Sequence, residues 1–222
     1  MQSAMSPHSK AGAEHKPLVY IVDDEVSVRR SLAALLRAEG WLVEAFATPQ
    51  AFLDFARPQA PSCLILDVHL PGTSGLAFHA QMREAGLYMP VLFVTGYGDM
   101  EMCAKALRAG ALNFFPKPFR NQDIVAGVLE ALTSDEKRLE AEREVAVLRA
   151  DFSLLTSREQ QVMAYVVAGL LNKQIAFELN LSEITVKIYR GQVMRKMKAR
   201  SVPDLVRKAQ ALDLALPAHT SR

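Results

Sequence analysis

Three carboxylates, one hydroxyl and one amine stand at the ends of short apolar runs in this 222-residue chain. Asp23 and Asp24 follow Leu18–Val22, Asp67 ends Cys63–Asp67, Thr95 ends Val91–Thr95, and Lys117-Pro118 follows Ala111–Phe115. Sites in open parallel α/β sheets form at the carboxyl ends of the strands, so these groups are expected on one rim. Clustered carboxylates repel one another unless they are protonated or neutralised. A hard divalent cation removes the conflict: Mg²⁺ (or Mn²⁺) takes a few carboxylates and keeps positions for water and phosphate oxygens. One carboxylate is then left as a nucleophile toward phosphorus, with the lysine and threonine to bind the oxygens of the transferred group. The chemistry this describes is reversible formation of an aspartyl phosphate.

The elements that must position these groups alternate. Between the apolar runs, including Leu42–Phe46, lie stretches of helical spacing at Val26–Glu39, Pro49–Phe55, Ser74–Glu84 and Met100–Ala109. Gly40, Gly86 and Gly110 follow three of them, where a left-handed residue closes a helix. Strand–helix alternation predicts an α/β domain with a five-stranded, doubly wound parallel sheet, and continuous apolar strands fit burial on both faces. The expected organisation is a loose tail over 1–16, the α/β domain over 17–132, a helical linker over 133–151, an all-α domain of four helices over 152–216 and a tail over 217–222. Val125, Leu132, Leu139 and Ala146 are spaced by seven, which suits a solvated linker helix and a dimer seam equally.

In the all-α part, Thr156-Ser157-Arg158-Glu159 reads as a capping box opening a helix that Gly169 closes. Asn172 is expected to cap a short helix ending near Asn180, and Ser182 a third running to about Lys198. Ser201, with Asp204 three residues later, caps a fourth that tolerates Pro203 in its first turn. Two short helices joined by a tight turn suggest helix-turn-helix.

Hydrophobic residues make up 50% of the chain and charged residues 23%, values of a globular protein that exclude disorder over most of its length. No apolar run approaches a membrane span, and the first sixteen residues lack the apolar core of a secretory signal. Two cysteines, Cys63 and Cys103, exclude a disulfide-stapled or cysteine-rich zinc scaffold, and a reducing cytoplasm is the expected setting.

The net charge of +2 is unevenly placed: residues 1–120 are neutral, 121–150 carry −3 and 151–222 carry +5. A basic carboxyl-terminal module is the electrostatic footprint of a polyanion binder. On the third helix Val186, Tyr189, Val193 and Met197 form one stripe. Lys187, Gly191, Met194, Arg195 and Lys198 lie opposite, with Ile188 and Arg190 on the flanks. One face to pack and one basic face is what a helix in a DNA major groove needs.

The set Asp23-Asp24, Asp67, Thr95 and Lys117-Pro118-Phe119 resembles the receiver domain of two-component response regulators, over roughly residues 17–132. The resemblance implies that Asp67 accepts phosphate, and that Thr95 and Lys117 bind the phosphoryl group. It implies a metal held by Asp23, Asp24, Asp67 and the backbone carbonyl of His69, with Asp24 the closer of the acidic pair. It also implies that Phe114, three residues before the lysine, rotates inward on activation. Two departures are visible: Ser74 stands where the family often has Asp, and Pro116 removes a backbone donor.

The stretch from Leu155 to Met197 resembles the LuxR-type DNA-binding domain. It shares Leu155-Thr156, Arg158-Glu159, Val162, Gly169, Asn172-Lys173, Ile175-Ala176, Leu179, Ser182, Thr185-Val186-Lys187 and Lys196-Met197. Together the two domains resemble the NarL/FixJ group of response regulators, and Thr95–Asp99 leans toward the FixJ-like side. By that resemblance Lys187 is the leading base or phosphate contact, Ile188 meets a thymine methyl and Lys173 positions the backbone. Arg190, Arg195 and Lys198 complete the expected DNA-binding set. Gly191 and Tyr189 stand where relatives often carry other side chains.

The function expected is a cytoplasmic transcriptional activator of a two-component system, not an enzyme. A sensor histidine kinase would phosphorylate Asp67, and the chain would then form a homodimer, bind double-stranded promoter DNA and meet RNA polymerase, with no membrane partner. A constitutive DNA binder with an unphosphorylated receiver is one alternative. An Asp-nucleophile phosphatase is another, disfavoured because such enzymes want an acid two residues after the nucleophile, where this chain has His69.

Overall fold

The apolar runs form one parallel sheet in the computed structural model, which describes residues 16–96 and 112–214. The expected helix over 100–109, Cys103, Gly110, Tyr97–Asp99 and all but residue 16 of the expected tails lie outside the described residues. The chain divides into two compact units, residues 1–139 and 140–222.

The first unit holds strands β1 (Leu18–Val22), β2 (Leu42–Phe46), β3 (Ser62–Asp67), β4 (His69–Leu70), β5 (Thr73–Ser74), β6 (Val91–Thr95) and β7 (Asn113–Pro116). Five of them form the parallel sheet in the order β2-β1-β3-β6-β7, and β4 pairs antiparallel with β5 in a small separate ladder. Successive strand residues point to opposite faces, so the sheet divides its apolar residues between two cores. Val19, Ile21, Ile65, Leu92 and Val94 pack with α1 (Val26–Ala38) and the first turns of α4 (Asn121–Ser153). Tyr20, Val22, Leu64, Leu66 and Phe93 pack with α2 (Pro49–Leu53) and α3 (Gly75–Glu84). Every residue of β1, β3 and β6 is buried.

Local chemistry sets the boundaries. Thr48 caps α2 by accepting the Ala51 N–H at 3.2 Å, with Pro49 in its first turn. Ser74 caps α3 by accepting the Ala77 N–H at 3.1 Å, so the departure at that position still has a structural use. Gly40 and Gly86 take φ of +89° and +73°, the left-handed closure expected of them. Helix α4 continues without interruption for 33 residues. No helix among the described residues is long and apolar enough to cross a membrane.

The second unit packs α5 (Ser157–Val167), α6 (Asn172–Leu179), α7 (Glu183–Lys196) and α8 (Val202–Ala211) around Val162, Val166, Ile175, Val186, Val193, Met197 and Leu205. The capping box forms: Glu159 accepts the Thr156 N–H at 2.6 Å and Thr156 Oγ1 accepts the Glu159 N–H at 3.3 Å. Asn172 does not cap α6. The cap position is Leu171, whose N–H donates to Gln174 Oε1 at 2.8 Å, and the Asn172 side chain accepts from Arg190 Nη1 at 2.6 Å instead. A charged tertiary donor wins over the local backbone amide.

Glu159 is 2% exposed and also accepts from Lys196 Nζ at 2.6 Å. Burial pushes its carboxyl up, but the Lys196 ammonium and the Thr156 donors outweigh burial and hold it below its ordinary value. The stabilisation is therefore complete above the unfolded pKa of about 4.3 and is lost as pH falls through the lower folded value. In urea titrations at pH 7, Glu159→Gln should cost the helical unit about 1.5–3 kcal/mol, and the gap to wild type should narrow as pH falls below the ordinary glutamate range.

Candidate functional site

Parallel register brings the carboxyl ends of β1, β3, β6 and β7 to one edge. Lys117 Nζ donates to Asp67 Oδ2 at 2.6 Å, to Asp23 Oδ2 at 2.8 Å and to Glu25 Oε1 at 3.3 Å. Asp23 is 0% exposed and Asp67 3%. Their other oxygens are also held: Asp23 Oδ1 accepts the Glu25 N–H at 2.8 Å, and Asp67 Oδ1 accepts the His69 N–H at 2.9 Å. The Lys117 N–H donates to the Thr95 carbonyl at 2.6 Å, which continues the β6–β7 ladder past Pro116 and fixes the lysine at the rim. Thr95 is buried, with Oγ1 3.1 Å from His69 Nδ1.

Burial pushes the Asp23 carboxyl above its ordinary value, against the pull of Lys117 and the Glu25 amide. Burial would lower the Lys117 pKa, yet its bonds to Asp23 and Asp67 raise it well above the ordinary lysine value, so the ammonium persists at neutral pH. Carboxylate oxygens of Asp23, Glu25 and Asp67 lie within 4.8 Å of one another. An all-oxygen donor set of this kind fits a hard divalent cation.

The expected residues fall as follows. Asp23, Asp67, Thr95 and Lys117 converge. Asp24 is exposed and lines a concavity with His69, Leu70 and Ser74, whereas Glu25 enters the carboxylate cluster. Phe114 is half-buried in β7 against the core that contains Phe93. Two features of the site escaped the sequence reading. Glu25 had a signal, as the third acid of an unbroken run. Gly75 packs directly on Asp67: a Cβ there would collide with the Asp67 carbonyl, while its own N–H donates to Val68 O at 2.9 Å.

On α7, Val186, Val193 and Met197 are buried and Tyr189 is half-buried, as the stripe required. Met194 packs against the same core rather than lying on the outer face. Lys187, Ile188, Arg195 and, on α6, Lys173 are exposed. Arg190 is bonded to Asn172, and Lys198 Nζ to Asp151 Oδ1 at 2.7 Å. Phe177 and Ile184, 85% and 74% exposed, add apolar surface that the sequence reading did not single out.

The chain matches the response regulator receiver domain over residues 19–129 and the luxR family of bacterial regulatory proteins over residues 153–209. It is 46% identical to nodulation protein W of Bradyrhizobium diazoefficiens over 203 residues, 91% of this chain and 89% of that one. It is 40% identical to the transcriptional regulatory protein FixJ of Rhizobium meliloti over 196 residues, 87% of this chain and 95% of that one. Among solved structures it is similar to the response regulator StyR, with a TM-score of 0.77 and 40% identity over 88% of this chain and 99% of that one.

The packing of Gly75 on the Asp67 carbonyl yields a test. Gly75→Ala should destabilise the first unit by about 1–3 kcal/mol, the usual cost of forcing an extra methyl into a packed site. Thermal unfolding followed by circular dichroism would show it, and a melting point equal to that of wild type would contradict the contact.

Proposed function

The chain belongs to the two-component response regulators that join a receiver domain to a LuxR-type DNA-binding domain, and from that premise we propose that it is a phosphorylation-dependent transcriptional activator whose acceptor is Asp67. The observation that carries this reading is the buried Asp67 carboxylate held 2.6 Å from the Lys117 ammonium beside Asp23 and Thr95. The proposed receiver spans 17–132, the helical linker 133–151 and the DNA-binding domain 152–216.

In the proposed reaction a carboxylate oxygen of Asp67 bonds to phosphorus as the phosphorus–nitrogen bond of a kinase phosphohistidine breaks. The imidazole leaves with the electron pair and takes a proton from water. Lys117 moves its donors from carboxylate to phosphoryl oxygens, and the Thr95 hydroxyl turns from His69 toward the same group, with Phe114 following inward. Asp23, Asp24, Asp67 and the His69 carbonyl would hold Mg²⁺ (or Mn²⁺), with Glu25 in reach of it. The ion would supply charge neutralisation for the carboxylates and phosphoryl oxygens. A phosphoryl group shifts the conformational equilibrium only as far as it favours one state over the other.

Phosphorylated chains would pair in the cytoplasm, bind promoter DNA and engage RNA polymerase. Lys173, Lys187, Ile188 and Arg195 are the proposed DNA contacts. Arg190 and Lys198, engaged with Asn172 and Asp151, would contribute chiefly by holding the recognition helix in place.

Acetyl phosphate with Mg²⁺ should label the wild-type chain and not Asp67→Asn, because an amide oxygen is a poor nucleophile; chelation by EDTA should abolish the label. Retained label in Asp67→Asn would move the acceptor elsewhere. Lys187→Ala removes an exposed amine and leaves no core cavity, so circular dichroism should be unchanged. DNA affinity should fall by about 1–3 kcal/mol with relaxed specificity at one position if the amine reads a base. If it binds phosphate, affinity should fall evenly across sequences and the salt slope by about one. Wild-type affinity would refute the recognition-helix assignment.

A further inference from the structure

Asp135 is wholly buried in the first unit, although the sequence reading places it in the linker. It is the last buried residue of α4 before the unit boundary at Leu139. A buried carboxylate is costly unless paired and hydrogen-bonded, and apolar residues of similar size often serve stability as well or better. Both Asp135 oxygens are engaged: Oδ2 accepts the Ser62 N–H at 2.8 Å and Oδ1 accepts Arg138 Nε at 2.8 Å. Ser62 is buried and opens β3, so its amide needs a partner beyond the start of the ladder, and Asp135 provides it.

The strand so held is the central one. β3 lies between β1 and β6, all six of its residues are buried, and it ends in Asp67. One stiff strand therefore carries the acceptor at its carboxyl end and the anchor of the outgoing helix at its amino end, about 17 Å apart at 3.3 Å per residue. A cavity of about 230 Å³ lined by His79, Arg83, Ser134, Asp135 and Arg138 lies beside the anchor and leaves space for this turn of helix to shift. Beyond Asp135 no residue of α4 is buried until Asp151, which Lys198 holds in the second unit. The helix is thus fixed to each unit at a buried aspartate, with a solvated stretch between.

From this arrangement we infer that Asp135 is a latch: its bond to the Ser62 amide holds α4 in the resting receiver, and phosphorylation at the far end of β3 releases it. The inference rests on the reading of Asp67 as acceptor. A contact formed in the resting state biases the switch to the extent that the other state lacks it.

Asp135→Leu in the full chain keeps the bulk of the side chain and removes both acceptors. Without phosphorylation it should bind a duplex selected by the phosphorylated wild-type chain about tenfold more tightly than unphosphorylated wild type does, within the usual range of coupling between sites. Acetyl phosphate with Mg²⁺ should still label it at Asp67, and the further gain in affinity should shrink. Asp135→Asn, which keeps an acceptor for Ser62, should restore wild-type behaviour. A variant that was only destabilised would lose affinity rather than gain it, so a folded Asp135→Leu with wild-type resting affinity overturns the latch. Hydrogen exchange in the wild-type chain tests the same point without a substitution: the Ser62 amide should exchange about tenfold faster after phosphorylation. Label at Asp67 with unchanged Ser62 exchange overturns the latch alone. A wild-type chain that takes no label at Asp67 overturns the acceptor reading and the release together.

Discussion

The Lys117 ammonium lies within 3.3 Å of three carboxylates, two of them buried, and the architecture of the first unit follows from keeping it there. A buried anion without a partner is among the costliest features a fold can carry. Asp23 and Asp67 tolerate burial because β1, β3 and β7 all end at the same edge of one sheet, so a cation from the last strand reaches acids from the first and third. The β6–β7 ladder, carried on by the Lys117 amide, sets the height of the lysine, and the close approach of Gly75 lets α3 begin against Asp67. Each carboxylate oxygen of the buried pair already has a donor, so a phosphoryl group or a cation must exchange bonds rather than fill empty space. Exchange of one charge-assisted bond for another leaves a small net difference, the condition for a switch whose two states lie close in energy.

Much of this was legible in the residues. Sheet strands are written as continuous apolar runs, and the runs Leu18–Val22, Leu42–Phe46 and Val91–Thr95 coincide with β1, β2 and β6. Their ends place Asp23, Asp67, Thr95 and Lys117 together because parallel strands bring their carboxyl ends to one edge. Where the reading fell short, a non-local partner decided the outcome. Asn172 looks like a cap, but Arg190, eighteen residues away, takes its side chain. Asp135 looks like a solvated linker residue, and nothing near it in sequence reveals the amide of Ser62 seventy-three residues earlier. Glu25 carries its only signal in adjacency to Asp23-Asp24, and the turn after β1 brings it into the cluster.

The second unit shows the same competition between local and tertiary use of charge. The cluster from Lys187 to Arg200 reads as a uniformly basic surface, yet much of it is spent within the fold. Lys196 donates to Glu159 and to the Leu154 carbonyl, Lys198 to Asp151, and Arg190 to Asn172. These bonds tie α7 to the end of α4, to α5 and to α6, so they set the angle at which the exposed face is presented. Net charge therefore overstates the cations available to a polyanion, and the same residues that raise it give α7 its support.

The consequence for DNA binding is quantitative. The side chains of Lys173, Lys187 and Arg195 are exposed and make no hydrogen bond or ion pair among the described residues. Each phosphate neutralised releases counterions worth a slope of about −0.9 in log affinity against log salt. Three such contacts per chain, as proposed, would give a slope of about −2.7, a weak and strongly screened attachment for a single copy at physiological salt. Two copies on one duplex double the slope and, once joined, bind the second half-site at the effective concentration set by the first. On the proposed reading, a helix face with few spare cations, flanked by exposed Ile184 and Ile188, would make affinity depend on the pairing of two chains.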